Sequence, residues 1–286
     1  MPVIATFKEI LALCWRERAT ALTFGLVPLG VNLILAGFVT DVAPASVSAY
    51  AKNLMVSLIS LLAFSPFCVT WYRMILFGKS DITSRSVVMF RRREWRFFGW
   101  TLAVTVATGP IGAIIAIVGA ALVVGLVVVN PVLGAVVGAV AAVVYVAILL
   151  WALSRLSMTL ALAAADQPAS FNLAWTMAKP YGWSMVGIQL LIVLGLVVIA
   201  VIPLSGTIPD MVEAARAKTE PPASAQLTLQ LVGTIAGAVF LWLTSTMYAL
   251  VYRRIGAATP PLPSTGPDLS PTTPSQDHGA TSMPSP

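Results

Sequence analysis

Apolar residues in this chain neither alternate nor recur every third or fourth position. They run continuously and are broken at long intervals by short polar stretches. A helix needs about 20 consecutive apolar residues to cross the hydrocarbon core of a bilayer. Six segments meet that requirement, at 19–40, 53–77, 98–127, 132–154, 184–204 and 226–250. The third and fourth share one tract that is far too long for a single crossing. Asn130-Pro131 inside it is a turn signal, so a tight hairpin is expected there. A transmembrane barrel would show short alternating segments instead. The pattern predicts an all-α, polytopic membrane protein with about six transmembrane helices.

Two stretches lie outside that membrane domain of 19–254, and one long loop lies within it. Residues 1–18 form an amphipathic segment expected at the cytoplasmic interface. Lys8, Arg16 and Arg18 before an apolar run, with Ala43-Pro44-Ala45 after it, have the layout of a signal peptide. The run is longer than the 7–15 apolar residues of such a leader, so it reads as a retained first span. Between the last two spans, IPDMVEAARAKTE reads as a short helix ahead of Pro221-Pro222. From 255 to 286 Pro, Ser, Thr and Gly dominate; such a segment cannot bury enough apolar surface to order itself and is expected to be a disordered cytoplasmic tail.

Charge then orients the spans. The chain is 58% hydrophobic and only 10% charged, against about 25% charged in soluble domains. With the first residues inside, fourteen Lys and Arg fall on inner segments and three (Lys52, Arg216, Lys218) on outer ones. That is a strong positive-inside bias, and it places both ends of the chain in the cytoplasm. The net charge of +6 therefore reflects loops that face anionic headgroups, and no nucleic-acid partner is expected.

Seven of the seventeen basic residues lie between Trp71 and Trp100. On a helical wheel, Val87, Val88, Phe90, Trp95, Phe97 and Phe98 share one side of Val87–Phe98, with Arg92, Arg93 and Arg96 opposite. This is the pattern of a helix lying in the interface. Arg91 stands three residues before Glu94 and could pair with it. Arg91, Arg92, Arg93 and Arg96 are the candidate anionic-lipid contacts; the same residues would also serve simply to orient the protein. In the next inner segment, Pro168 and Ser170 signal a helix start. Phe171, Ala174, Trp175 and Ala178 share a face, and Lys179-Pro180 ends the helix. Candidate interface anchors are Trp15, Arg73, Trp95, Arg155, Trp175, Trp183 and Arg253, with Arg73 and Arg155 able to snorkel from span ends. No spacing demands an ion pair between Arg155 and Asp166. The steps Trp15 to Arg73, Trp95 to Arg155 and Trp183 to Arg253 cover 58, 60 and 70 positions, which suggests three tandem units of interfacial stretch plus hairpin.

The spans themselves are chemically quiet. Asn32, Gln189 and Gln230 are expected to hydrogen-bond between helices. Gly134 with Gly138, and Gly233 with Gly237, offer small faces for helix packing within the fold or between copies. Pro28, Pro66, Pro110 and Pro203 lie in or near spans and could mark discontinuous transporter helices, although single prolines are tolerated there. Cys14 and Cys68 lie on the reducing side in no metal-like spacing, so neither a disulfide nor a metal site is expected. No nucleophile, metal cluster or phosphate-cradling loop can be assembled, so an enzyme is not expected and no cofactor is implied. The function expected is a non-enzymatic protein that organises membrane lipids or a protein partner, which could be a second copy. The alternative is a transporter or channel-like carrier of a lipid-like or apolar solute.

R-x-S-M-T-L-A-L-A at Arg155–Ala163, the acidic turn at Asp166, A-W-T-M-A-K at Ala174–Lys179, Gly182-Trp183 and W-Y-R-x-I-L-F-G at Trp71–Gly78 together resemble a bacterial family. It comprises the membrane domain found with some glycerophosphoryl diester phosphodiesterases and the related YciC-like inner-membrane proteins. The resemblance covers roughly residues 55–254, with Lys179-Pro180-Tyr181 departing from the family's lysine-glycine turn. It implies a multi-pass protein of the bacterial inner membrane and supplies no agreed catalytic residues. The chain has no room for the soluble phosphodiesterase domain, so that activity is not carried over.

Overall fold

A computed structural model describes residues 1–38, 47–79, 90–129, 131–217, 219 and 222–258. It gives the backbone alone at 36–38, 47–50, 111–129, 131–135, 139, 142, 215 and 257–258. Asn130, Arg85, Lys218, the amphipathic positions Val87–Met89 and the expected tail from 259 onward lie outside the described residues.

The described elements are all helices: α1 (Val3–Arg16), α2 (Arg18–Phe38), α3 (Val47–Phe77), α4 (Arg92–Val129), α5 (Pro131–Leu156), α6 (Met158–Ala164), α7 (Phe171–Ala178), α8 (Gly182–Leu204), α9 (Ile208–Ala217) and α10 (Ala223–Ala258). Five of them (α2, α3, α5, α8 and α10) are long and apolar enough to cross a membrane. α4 has 38 residues, with its side chains described only as far as Pro110. Long helices that follow one another pair, α2 with α3, α4 with α5 and, across the short α9, α8 with α10; α10 also packs on α1, α2, α3 and α6. Large apolar side chains such as Leu22, Leu26, Ile34, Val143 and Ile202 stand exposed along these helices, a surface that water would not tolerate over such an extent.

Burial is concentrated at one end. The core gathers Ile10 and Cys14 of α1, Phe67–Ile75 of α3, most of α6, Ala174 and Ala178 of α7, Met185–Ile192 of α8 and Leu243–Ile255 of α10. From Val193 to Glu213, by contrast, α8 and α9 are mostly exposed.

Two helices overrun the expected apolar limits, and at the end of α10 the polar residues find partners in Thr6 and Glu9. α3 begins at Val47 rather than 53, and α10 continues through Ile255, which is buried, into the stretch expected to be tail. The largest departure is at Arg92–Phe98. These residues are the first turns of α4, not a separate helix lying in the interface, so their buried face meets protein. Phe97 turns inward against Tyr72, at 5.9 Å between ring centroids, while Trp95, on the same predicted apolar side, points out.

The stretch after α5, expected as an inner loop, contains a buried helix, α6, rich in alanine. Small side chains let it approach α3, α4, α5, α7 and α10. It ends in a Schellman motif: Gln167 N–H donates to Leu162 O (3.0 Å) and Asp166 N–H to Ala163 O (3.3 Å). Asp166 takes the left-handed position of that motif, φ 59°, where glycine is usual and Asp is tolerated. Further along, Ser170 caps α7 as expected, its Oγ accepting from Leu173 N–H at 3.2 Å.

The left-handed turn gives a test. Asp166→Ala should lower stability by about 1–2 kcal/mol in denaturant or thermal unfolding of the solubilised protein, and Asp166→Gly by distinctly less. Equal losses would show that the backbone conformation is not what the turn requires of residue 166.

Candidate functional site

The packed end of the bundle is also its basic end. Two arginines close over the exit of α6. Arg73, from the last turn of α3, donates through Nη1 to Ala164 O at 3.2 Å and to Asp166 Oδ2 at 2.6 Å. Arg96, from the start of α4, donates to Gln167 O. Cations here satisfy carbonyls left free at a helix C-terminus and oppose its partial negative charge. Asp166 thus pairs with Arg73 and not with Arg155.

Glu94 organises the start of α4. It is fully buried and accepts from Arg91 backbone N–H at 2.9 Å and from Arg93 Nε at 2.9 Å. The pairing with Arg91 therefore runs through the backbone, and the side-chain ion pair is with the adjacent arginine. Of the four candidate lipid contacts, Arg93 and Arg96 have partners in the chain. Arg91 and Arg92 are exposed beside Trp95.

α1 lies across the ends of α8 and α10. Thr6, Ile10 and Cys14, four residues apart, face the bundle, and Ile4, Leu11 and Trp15 face away. Arg254 donates to Thr6 Oγ1 at 2.9 Å and to Glu9, while Arg253, mostly exposed, lies 3.9 Å from Glu9. Where α1 meets α2, Glu17 accepts from Lys79 at 2.7 Å and Arg16 at 3.3 Å. The Lys79 hydrogen bond, more than any other influence, holds its carboxyl below the usual range. Burial pushes the Cys14 thiol up to about 11, so it stays protonated as a donor.

Tryptophans rim this end. Trp15, Trp95 and Trp183, each leading into a long helix, are 71%, 52% and 67% exposed. Trp175 is turned inward instead, edge-to-face on Trp151 at 5.1 Å. Arg155, expected to snorkel outward, is buried against those two indoles.

Beneath the rim lies a cavity of about 150 Å³ between α3, α4, α5, α6, α8 and α10. Leu and Phe side chains form part of its wall; its polar lining includes Ser65, Tyr72, Ser157, Gln189, Thr244 and Tyr248. Gln189 spans it, donating to Tyr248 Oη at 2.6 Å and accepting from Ser154 Oγ at 2.8 Å. That volume holds several waters and falls short of the 300 Å³ at which ligand pockets usually begin. Gln189 alone of the three expected polar residues bridges helices. Asn32 bonds to Pro28 O in its own helix at 2.8 Å, and Gln230 Oε1 is buried without a partner.

The packing glycines fare unevenly. A Cβ on Gly233 or Gly237 would meet nothing within 4 Å among the described residues, and both lie on the exposed face of α10. Gly138 is half-buried in α5, and Gly134 lies where only backbone is described. Among the described residues no three His, Cys, Asp or Glu side chains converge as metal ligands would.

No family model, curated protein or solved structure matches this chain. The composition of its rim and cavity is therefore the ground for a functional reading. Sequence patterns missed Glu94 as a cap, Arg155 as a buried cation and the hydroxyl lining. The Trp151–Arg155 spacing, one helical turn, was the available signal for the second of these.

Two tests follow from the geometry. Replacing Gln189 by Leu removes the amide donor to Tyr248 Oη and one of the two acceptors of Ser154 Oγ, which keeps Leu150 O at 2.6 Å. The change should cost about 1–3 kcal/mol in unfolding free energy; an unchanged value would mean that water or the neighbouring hydroxyls fill the role. Glu17, depressed when folded, adds stability above the unfolded carboxyl value of about 4.3 and loses it as pH falls through the folded value. Wild type should therefore melt above Glu17→Gln at pH 7, and the gap should shrink as pH falls from about 4.3 through the lower folded value. A gap of constant size would place the effect outside the charge.

Proposed function

We propose that this chain is a multi-pass bacterial inner-membrane protein, non-enzymatic, that organises anionic lipids or a protein partner at its basic face. One observation carries the reading: a single end of an apolar helical bundle gathers the arginine-bearing helix termini and three outward tryptophans (Trp15, Trp95, Trp183). Indoles sit at headgroup level and arginines reach phosphates. In this reading α4 is the sixth span beside α2, α3, α5, α8 and α10, the basic end is cytoplasmic, and both ends of the chain lie there. The three sequential helix pairs support three tandem units, and the resemblance to YciC-like proteins supports the location. Arg91 and Arg92, exposed and next to Trp95, are the residues that would meet lipid first.

The cavity supports a second reading, a carrier. Its volume suits a small uncharged solute better than a lipid.

Topology and binding can be tested together. A Lys8→Cys variant should resist a membrane-impermeant maleimide in intact cells, and Asp210→Cys should react. Cys14 and Cys68 are buried and should contribute little background. The reverse labelling pattern would invert the topology. In nanodiscs of mixed phosphatidylglycerol and phosphatidylcholine, Arg91→Gln with Arg92→Gln should reduce enrichment of the anionic lipid about two-fold or more. Unchanged enrichment would remove lipid organisation at this face.

A further inference from the structure

Where α5, α7 and α8 meet, the chain buries a cation without an anion. Arg155 belongs to the last turn of α5 and is 9% exposed. Its guanidinium carbon lies 4.3 Å from the ring of Trp151 and 4.7 Å from that of Trp175. Arg73, Arg93 and Arg254 each have a carboxylate partner; among the described residues Arg155 has none. Its Nε is buried with no acceptor, and so is Nε1 of Trp151.

Both donors converge on one backbone position. The place a Cβ would occupy on Gly182 is 3.0 Å from Arg155 Nε, 3.5 Å from Nη2 and 3.5 Å from Trp151 Nε1. Gly182 is the first residue of α8, and no side chain caps that helix. Its first turn closes with Met185 N–H donating to Tyr181 O at 2.9 Å, so the N–H groups of Gly182, Trp183 and Ser184 precede the helical ladder. A positive helix end, a guanidinium and an indole N–H thus share one corner. The exposed Trp183 ring, 6.2 Å from Trp151, walls it on the outside.

We propose that this corner is an oxoanion site that takes one phosphate group. The two indoles stand at 84° to each other and 5.1 Å apart, so they press on the guanidinium from neighbouring directions; its planar fork of N–H donors, with Nε unpartnered, matches two oxygens of a phosphate. The uncapped start of α8 adds donors and a favourable field. A Cβ on Gly182 would press on the guanidinium at 3.0 Å, tighter than ordinary contact, which favours glycine there. The phosphate is that of an anionic lipid headgroup or a free phosphate; the former rests on the reading above that this end sits at headgroup level. The site is separate from the exposed Arg91 and Arg92, which offer charge without an enclosing wall.

The test uses the full chain in detergent and in nanodiscs, with phosphatidylglycerol, phosphatidylcholine and inorganic phosphate as probes. Readouts are ligand-induced change in melting temperature and retained lipid by native mass spectrometry. Wild type should retain one phosphatidylglycerol and gain stability from it, with phosphatidylcholine inert. Arg155→Lys, which keeps the charge but loses the planar fork, should weaken retention at least tenfold. Trp151→Phe, which keeps the ring and loses the N–H, should weaken it several-fold without moving the unliganded melting temperature. Gly182→Ala should act like Arg155→Lys. Stabilisation by inorganic phosphate equal to that by the lipid would assign the site to a free oxoanion. No stabilisation of wild type by either probe, or wild-type retention in both Arg155→Lys and Trp151→Phe, would overturn the proposal. Loss of bulk enrichment in the Arg91/Arg92 variant with full retention in Arg155→Lys would leave the broader lipid reading standing and remove this site. The converse pattern would do the opposite.

Discussion

Thr246 is fully buried, and three helices are tied to its single oxygen. A hydroxyl has one proton to give and two lone pairs to offer. Here the proton goes to Trp242 O at 2.9 Å, while Trp71 Nε1 approaches at 2.8 Å and Cys14 Sγ at 3.3 Å. With the hydroxyl proton committed, the thiol is the donor. α1, α3 and α10 therefore meet at one saturated atom. In surroundings without water, each polar group left unmatched costs several kcal/mol, so these three helices cannot slide past one another independently. Phe67 stacked on Trp71, and Trp242 edge-to-face with it, are fixed in the same register.

Similar logic recurs outward from that point. Gln189 ties α8 to α5 and α10, and the turn after α6 is clasped by arginines from α3 and α4. The anchored arginines hold the inner helix in place, and the charge that remains outward is smaller and more localised than a count of basic residues suggests. A chain with so few charged residues uses most of those at this end for internal closure. The donors left open are those of the exposed Arg91 and Arg92 and, within, the buried Nε of Arg155.

Much of the architecture was legible because the signals behind it are local. Continuous apolar runs gave helices, Ser170 gave a cap, and IPDMVEAARA became α9. The amphipathic wheel at Val87–Phe98 failed for a physical reason. Periodicity reports that a helix has two faces but not whether the apolar one meets lipid or protein, and here Phe97 met protein while Trp95 did not. α6 was invisible because an alanine-rich run between two polar turns looks like a loop unless its burial is known. The cavity lining was hidden for a related reason: Ser65, Thr244 and Tyr248 are unremarkable singly, and only the crossing of α3 and α10 brings them together. Arg155 was assigned to the surface because span ends usually allow a long side chain to escape, whereas two indoles and a glycine backbone enclose it.

The uneven distribution of burial has a mechanical consequence. At one end helices are locked by shared polar atoms and close-packed alanines; toward the other, α8 and α9 present most of their surface outward. Set in a bilayer, such a body is stiff in one leaflet and compliant in the opposite one. Changes in thickness or lateral pressure would be absorbed almost wholly on the loose side, leaving the basic end undeformed as a fixed reference plane.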